Sequence, residues 1–216
     1  MDESINEVWK SRDIPRAQYE IVKKELEDLR QGKPHAVWQT ATDFLKTIEG
    51  DDLTLLDVGC ASGYFYEIFN TLLPGKFIYT GGDYSEAMLR LAERNYPDAT
   101  FCGVDVRNIQ FENQSFDVVF SSACLEHIKD DWKVGLQEMC RVAKKYVVLH
   151  KTPLIITPTK FTERKIYGDN TVVFNKFNQD EFFGIVYDCG FKHIYDTKTH
   201  NRASEYRLVV FQRLGE

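Results

Sequence analysis

Four carboxylates, two glycines and two histidines carry the chemistry in this sequence. Asp57, Gly59 and Gly63 fall in L-L-D-V-G-C-A-S-G-Y-F, Leu55 to Phe65, an apolar run ending in an acid and a glycine-rich turn. Neither glycine has a β-carbon, so the backbone can turn sharply and approach a ligand, and the helix start beyond offers unpaired N–H groups. These features point to a nucleotide-like cofactor site, against the plainer reading of an ordinary strand-to-helix turn. Asp83 lies 24 positions after Gly59, in keeping with the roughly 20 expected of an acid that grips ribose hydroxyls; it can also act only as a helix cap ahead of Ser85-Glu86. Asp105, next to Val106, can receive the exocyclic amine of an adenine or cap a turn. Glu126-His127 follows a later strand, and an imidazole titrating near neutrality can take a proton from a hydroxyl or amine or bond backbone and shape the pocket floor. His150 ends another apolar run as a further pocket candidate.

The glycine spacing selects the ligand. A dinucleotide fingerprint G-x-G-x-x-G laid on Gly59 needs glycines where this chain has Ala61 and Tyr64. Tyr64 would crowd a pyrophosphate, so a phosphate-free nucleoside is favoured over NAD or FAD.

The elements that must hold these residues read as alternating strands and helices. Apolar runs predict strands over Leu53 to Val58, Lys76 to Gly82, Thr100 to Val104, Phe116 to Ser121 and Tyr146 to His150. Helical spacing marks Tyr64 to Leu73, Ser85 to Asn95 and Asp131 to Val142, so the order implies an α/β fold with a parallel sheet covered on both faces. Ahead of them, Arg16 to Gln31 is an amphipathic helix behind Pro15, and Trp38, Ala41, Leu45 and Ile48 mark a second; the pair either covers a pocket or only extends the core. Between Lys151 and Asn178 the rhythm breaks. That stretch, rich in Thr, Pro, Lys and aromatics, is long for a connection and reads as a functional loop or lid, although Phe161, Tyr167, Phe174 and Phe177 also suit satellite core. Helix Gln179 to Cys189 and strands Phe191 to Thr197 and Arg207 to Gln212 close the chain.

The landmarks L-D-V-G-C-A-S-G-Y, G-G-D-Y-S-E-A-M-L, V-D-V and F-D-V-V-F-S-S-A-C-L-E-H, in order and each after a predicted strand, make the chain resemble the class I S-adenosylmethionine (SAM)-dependent methyltransferases over roughly Leu53 to Leu149. The family often has Gly where this chain has Ala61. The resemblance implies a Rossmann-like, doubly wound, seven-stranded sheet, mostly parallel, with an antiparallel last strand beside the fifth and helices on both faces. It implies one methyltransferase domain over 1–216: a helical cap at 1–50, a cofactor core at 51–150, a substrate-side lid at 151–178 and a C-terminal helix and hairpin at 179–216. SAM would be the cofactor and S-adenosylhomocysteine the product. Cofactor contacts are expected at Asp57, Gly59, Cys60, Ala61, Gly63, Asp83, Tyr84, Ser85, Met88, Asp105, Val106, Ser121 and Leu125, with Asp57 meeting the methionine ammonium directly or through water. His127 and His150 are the catalytic candidates.

Absences narrow the acceptor. Nucleobase amino-methylation calls for N-P-P-Y or D-P-P-Y after the fourth strand, where this chain reads S-S-A-C, and a net charge of −6 argues mildly against nucleic acid. A magnesium-dependent catechol type needs carboxylates at the ends of strands four and five; here those ends are Ser121-Ser122 and His150-Lys151, and Asp169-Asn170 reads as a turn, so no metal is expected. Five cysteines without C-x-x-C pairs suit reduced thiols, and no apolar stretch approaches a membrane span, so a cytoplasmic location is expected. With 43% hydrophobic residues in 216, one substantial core is expected. The reading is a methyltransferase for oxygen or nitrogen of a small molecule or biosynthetic intermediate. The alternatives are a carbohydrate or surface-polysaccharide methyltransferase and a non-catalytic SAM-binding subunit.

Overall fold

The computed structural model describes residues 8–11, 13–166, 170–199 and 205–215; Tyr167, Asp169 and His200 lie outside them. Two helices lead, α1 (Ile14–Arg30) and α2 (Ala36–Leu45). The first starts before the expected Arg16 because Pro15 is tolerated in an opening turn, where its missing N–H would be unpaired anyway. Then follow β1 (Leu53–Val58), α3 (Tyr64–Leu72), β2 (Phe77–Asp83), α4 (Glu86–Asn95), β3 (Thr100–Gly103), β4 (Phe116–Ser122), α5 (Trp132–Val142) and β5 (Ala143–Ile155). The chain closes with β6 (Lys160–Ile166), β7 (Asn170–Asn178), α6 (Gln179–Asp188), β8 (Phe191–Lys198) and β9 (Tyr206–Arg213).

Seven strands form the expected sheet in the order β3-β2-β1-β4-β5-β9-β8, with β9 antiparallel to both neighbours and the rest parallel. The central strands are buried on both faces, and alternate residues serve two cores. Leu56, Val58, Val119, Val147 and Val209 face α5 and α6, whose Trp132, Leu136, Met139 and Phe182 pack there. Leu55, Val118, Phe120, Val148 and Val210 face α1 to α3 through Leu26, Trp38, Phe65 and Ile68.

Two expectations need correction. The sheet has nine strands, because β6 and β7 form an antiparallel hairpin that joins the far end of β5 through Leu154↔Phe177 and Ile155↔Asn178. The stretch from Lys151 is therefore mostly strand, with β5 running on to Ile155 and, among its described residues, loop only near 156–159. Its inner strand is core: Val172, Val173 and Phe177 are at most 1% exposed.

Candidate functional site

The carboxyl ends of β1, β2 and β4 open on a cavity of about 610 Å³, where an open α/β sheet places its ligands. Gly59 and Gly63 both have φ +76°, a conformation costly for any residue with a β-carbon. Packing also demands them: a β-carbon on Gly59 would lie 2.7 Å from Cys124 Sγ, and one on Gly63 would lie 2.7 Å from the Phe101 ring. Their bareness thus serves neighbouring protein atoms, beyond the ligand approach read from the sequence. Ala61 sits between them at φ 52°. With Ala123 and Lys151 it makes three cavity-lining residues among the five non-glycines with left-handed φ in the described residues, so backbone strain concentrates at this site.

Asp83 ties the turn together. Its Oδ2 accepts the N–H of Ala61 and its Oδ1 that of Ser85, each at 2.9 Å, while the Ser85 hydroxyl accepts from Met88 N to cap α4 and donates to the Trp9 carbonyl at 2.8 Å. Burial pushes the Asp83 carboxyl up to about 6, against the pull of those backbone bonds.

Of the expected cofactor residues, Gly59, Ala61, Asp83, Tyr84, Ser85, Met88, Asp105 and Val106 line the cavity. Asp57, Cys60, Gly63, Ser121 and Leu125 stand behind its wall. Asp57 is 1% exposed and accepts the Tyr79 hydroxyl at 2.7 Å, and burial raises it to about 7; the Ser121 hydroxyl donates to the Val58 carbonyl. Asp105 keeps its carboxylate on Arg107, which holds it below the usual carboxylate range.

The two histidines part company. His150 is fully buried, with Nδ1 2.9 Å from Ser122 Oγ and Nε2 2.9 Å from the Val37 carbonyl. It is absent from the cavity wall, and its bonds join β4, β5 and the start of α2, so the structure places it as a core residue rather than a pocket one. His127 does line the cavity. Its Nδ1 lies 2.9 Å from the Val173 carbonyl, which can only accept, so Nδ1 carries the proton and Nε2 the lone pair. Burial, with Lys151 and Arg164 adding to it, pushes the imidazole down to about 4 and keeps it neutral. Beside it Glu126, 3% exposed, is raised by burial to about 7.

The sequence offered some of the walls around this pair as acceptor-side candidates without bringing them together. Trp9 lies 4.9 Å from the His127 ring, and Phe174 lies 5.9 Å away edge-on. Arg164, Ile166 and Tyr206 come from the hairpin and from β9, Lys151 from β5, and Gln18, Ile21 and Glu25 from α1. The helical spacing of α1 and the aromatics and cations of the 151–178 stretch were their signals. Among the described residues, no group of three or more His, Cys, Asp or Glu side chains is placed to hold a metal, and no helix is long and apolar enough to cross a membrane.

Comparison with known proteins bears on residues 55–146, which match a family described as a methyltransferase domain. A malonyl-(acyl-carrier protein) O-methyltransferase of Bacillus cereus is 30% identical over 95 residues, 43% of this chain and 33% of the relative. A trans-aconitate 2-methyltransferase of Escherichia coli is 36% identical over 78 residues, 36% of this chain and 30% of the relative. The chain thus spans about a third of the length of these curated relatives. In structure, a SAM-dependent methyltransferase from Methanosarcina mazei superposes with TM-score 0.66 at 20% identity, covering 80% of this chain and 98% of that one. Residues 55–146 thus resemble a methyltransferase domain, and the chain shares its fold with solved SAM-dependent methyltransferases.

Proposed function

We propose that the protein transfers a methyl group to oxygen or nitrogen of a small-molecule acceptor. One observation carries this reading: a single cavity is lined by Asp83, Ser85 and Met88 and also by Glu126 and His127, so a nucleoside and an acceptor can share one space. Bound SAM supplies a methyl already activated on its sulfonium. The chain adds alignment, worth roughly 7–11 kcal/mol in favourable cases. Asp83, fixed by Ala61 and Ser85, offers its outer lone pairs to the ribose hydroxyls, and Asp105, steadied by Arg107, faces the adenine end. Tyr64, from the start of α3, walls the centre of the cavity.

At the acceptor end, the proton released as the acceptor becomes methylated has two candidate destinations. His127 Nε2 carries a lone pair, but a group near 4 is a weak base at neutral pH. Glu126 near 7 is matched to the task. We assign Glu126 as the proton acceptor and His127 as the hydrogen-bond acceptor that orients the nucleophile. The small-molecule class is supported by the names of the relatives, which act on malonyl-(acyl-carrier protein) and trans-aconitate. Calorimetry with S-adenosylhomocysteine and with NAD tests the cofactor half: tighter binding of NAD would overturn it. Methyl incorporation from isotopically labelled SAM into a metabolite extract tests the transfer; a protein that binds the cofactor yet labels nothing would be a binding subunit.

A further inference from the structure

The acceptor end of the cavity carries two cations whose geometry suits a particular ligand chemistry. Arg164 projects from β6 with its guanidinium carbon 3.7 Å above the centre of the Phe174 ring. Phe174 itself packs edge-on to His127 at 5.9 Å and near Tyr206 at 6.2 Å. This contact seats the guanidinium on the ring face and leaves N–H donors for a planar or tetrahedral oxyanion. Lys151 enters the same cavity from β5, at the left-handed residue just beyond the stretch paired with β4. Both cations lie close enough to His127 to press on its titration.

Two neighbouring carboxylates already have ion-pair partners. Glu205 pairs with Lys176 at 2.6 Å and Asp196 with Arg207 at 2.6 Å, and among the described residues none forms an ion pair with Arg164. Of the carboxylates that line the cavity, Glu126 stands next to His127, and burial raises it to about 7. Arg164 and Lys151 thus bring two cations to this part of the cavity in a chain whose net charge is −6.

We propose that the methyl acceptor bears an oxyanion, carboxylate or phosphate, which Arg164 and Lys151 hold at the hairpin end of the cavity while its nucleophile faces Glu126 and His127. This rests on the methyltransferase reading of the same cavity. The test is calorimetric titration of the protein saturated with S-adenosylhomocysteine, using sodium succinate, sodium phosphate and neutral succinamide as probes. Succinate or phosphate is expected to bind and succinamide not to; which anion binds distinguishes the two sources of the oxyanion. Arg164→Gln and Lys151→Met should each weaken the anion at least tenfold with S-adenosylhomocysteine affinity unchanged, whereas Lys160→Gln, on the same hairpin outside the cavity wall, should change neither. The proposal is overturned if neither anion binds, if succinamide binds as well as succinate, or if Lys160→Gln costs as much as Arg164→Gln. Failure of S-adenosylhomocysteine itself to bind the wild type defeats the cofactor reading instead, and the anion titration is then read on the unloaded protein with the same outcomes.

Discussion

Tyr79 donates its hydroxyl to Oδ2 of Asp57 at 2.7 Å, beneath the glycine turn and out of reach of the cavity. The bond favours the charged carboxylate, yet burial outweighs it and lifts Asp57 from 3.8 to about 7. A carboxyl raised on folding contributes stability that is present below about pH 4 and lost as pH rises through 7. His127, depressed to about 4, acts oppositely, but only below its unfolded value near 6.5. Between pH 6.5 and 8 the unliganded wild type should therefore lose melting temperature, and Asp57→Asn should lose measurably less. An identical slope in the variant would remove Asp57 from the account; Glu126 leaves a residual slope of the same sign.

Asp83 predicts a different pH signature. Ribose hydroxyls donate to the ionised form, so binding releases a proton and S-adenosylhomocysteine affinity should climb with pH through about 6, then level off. Asp83→Ala should weaken the ligand by about 1–3 kcal/mol. Titration calorimetry in buffers of different ionisation heat reads both; a pH-independent affinity would place the ribose elsewhere.

The turn itself can be edited. Ala61 pays left-handed strain that glycine avoids, while glycine loosens the unfolded chain, so Ala61→Gly should change stability by about +0.5–1 kcal/mol in denaturant unfolding. Gly59→Ala meets Cys124 at 2.7 Å and should destabilise far more. If Gly59→Ala unfolds like the wild type, the packing account of that glycine is wrong.

The cofactor half was legible because β1 is buried almost throughout and β2 buries its carboxyl-terminal half, which leaves Asp57 and Asp83 conspicuous near the strand ends. The acceptor half was not. In β6, K-F-T-E-R-K-I is exposed along nearly its whole length, so no alternation betrays a strand and Arg164 reads as one charge among several. His150 and His127 look alike in sequence, each at the end of an apolar phrase, and only the distant partners Val37 and Val173 separate a core residue from a pocket one. Gln18 and Ser62, bonded at 2.8 Å across 44 residues to seat α1 over the turn, carry no local signal at all.

Turnover should separate Glu126 from its neighbour. The pH profile of kcat/KM should show a rising limb near pH 7 that disappears in Glu126→Gln, whereas His127→Asn should lower the rate without moving the limb. Activity should survive thorough chelation, since neither β4 nor β5 ends in a carboxylate pair; loss on chelation with recovery on magnesium would refute that. A limb that follows His127 instead would exchange the two roles.

The hairpin must be rigidly joined to the site if it positions an acceptor. Asn175, 2% exposed in β7, donates through Nδ2 to the carbonyls of Ile128 and Lys129 at 2.6 and 3.1 Å, and His127 bonds Val173 two residues away. These bonds clamp the Glu126-His127 turn to the same strand that carries Phe174. Asn175→Ala leaves two carbonyls short of a donor and should cost about 1–3 kcal/mol of stability. The diagnostic effect is on function: kcat for the acceptor should fall at least tenfold while S-adenosylhomocysteine affinity stays within twofold, because the residues proposed to hold the cofactor lie on β1, β2 and the segment after β3. Replacing all of 153–177 with a short linker is a poorer test, since Val172, Val173 and Phe177 belong to the buried core and the protein should then unfold. Full turnover in Asn175→Ala would move the acceptor away from the hairpin, towards α1 and the wall formed by Trp38 and Ile21.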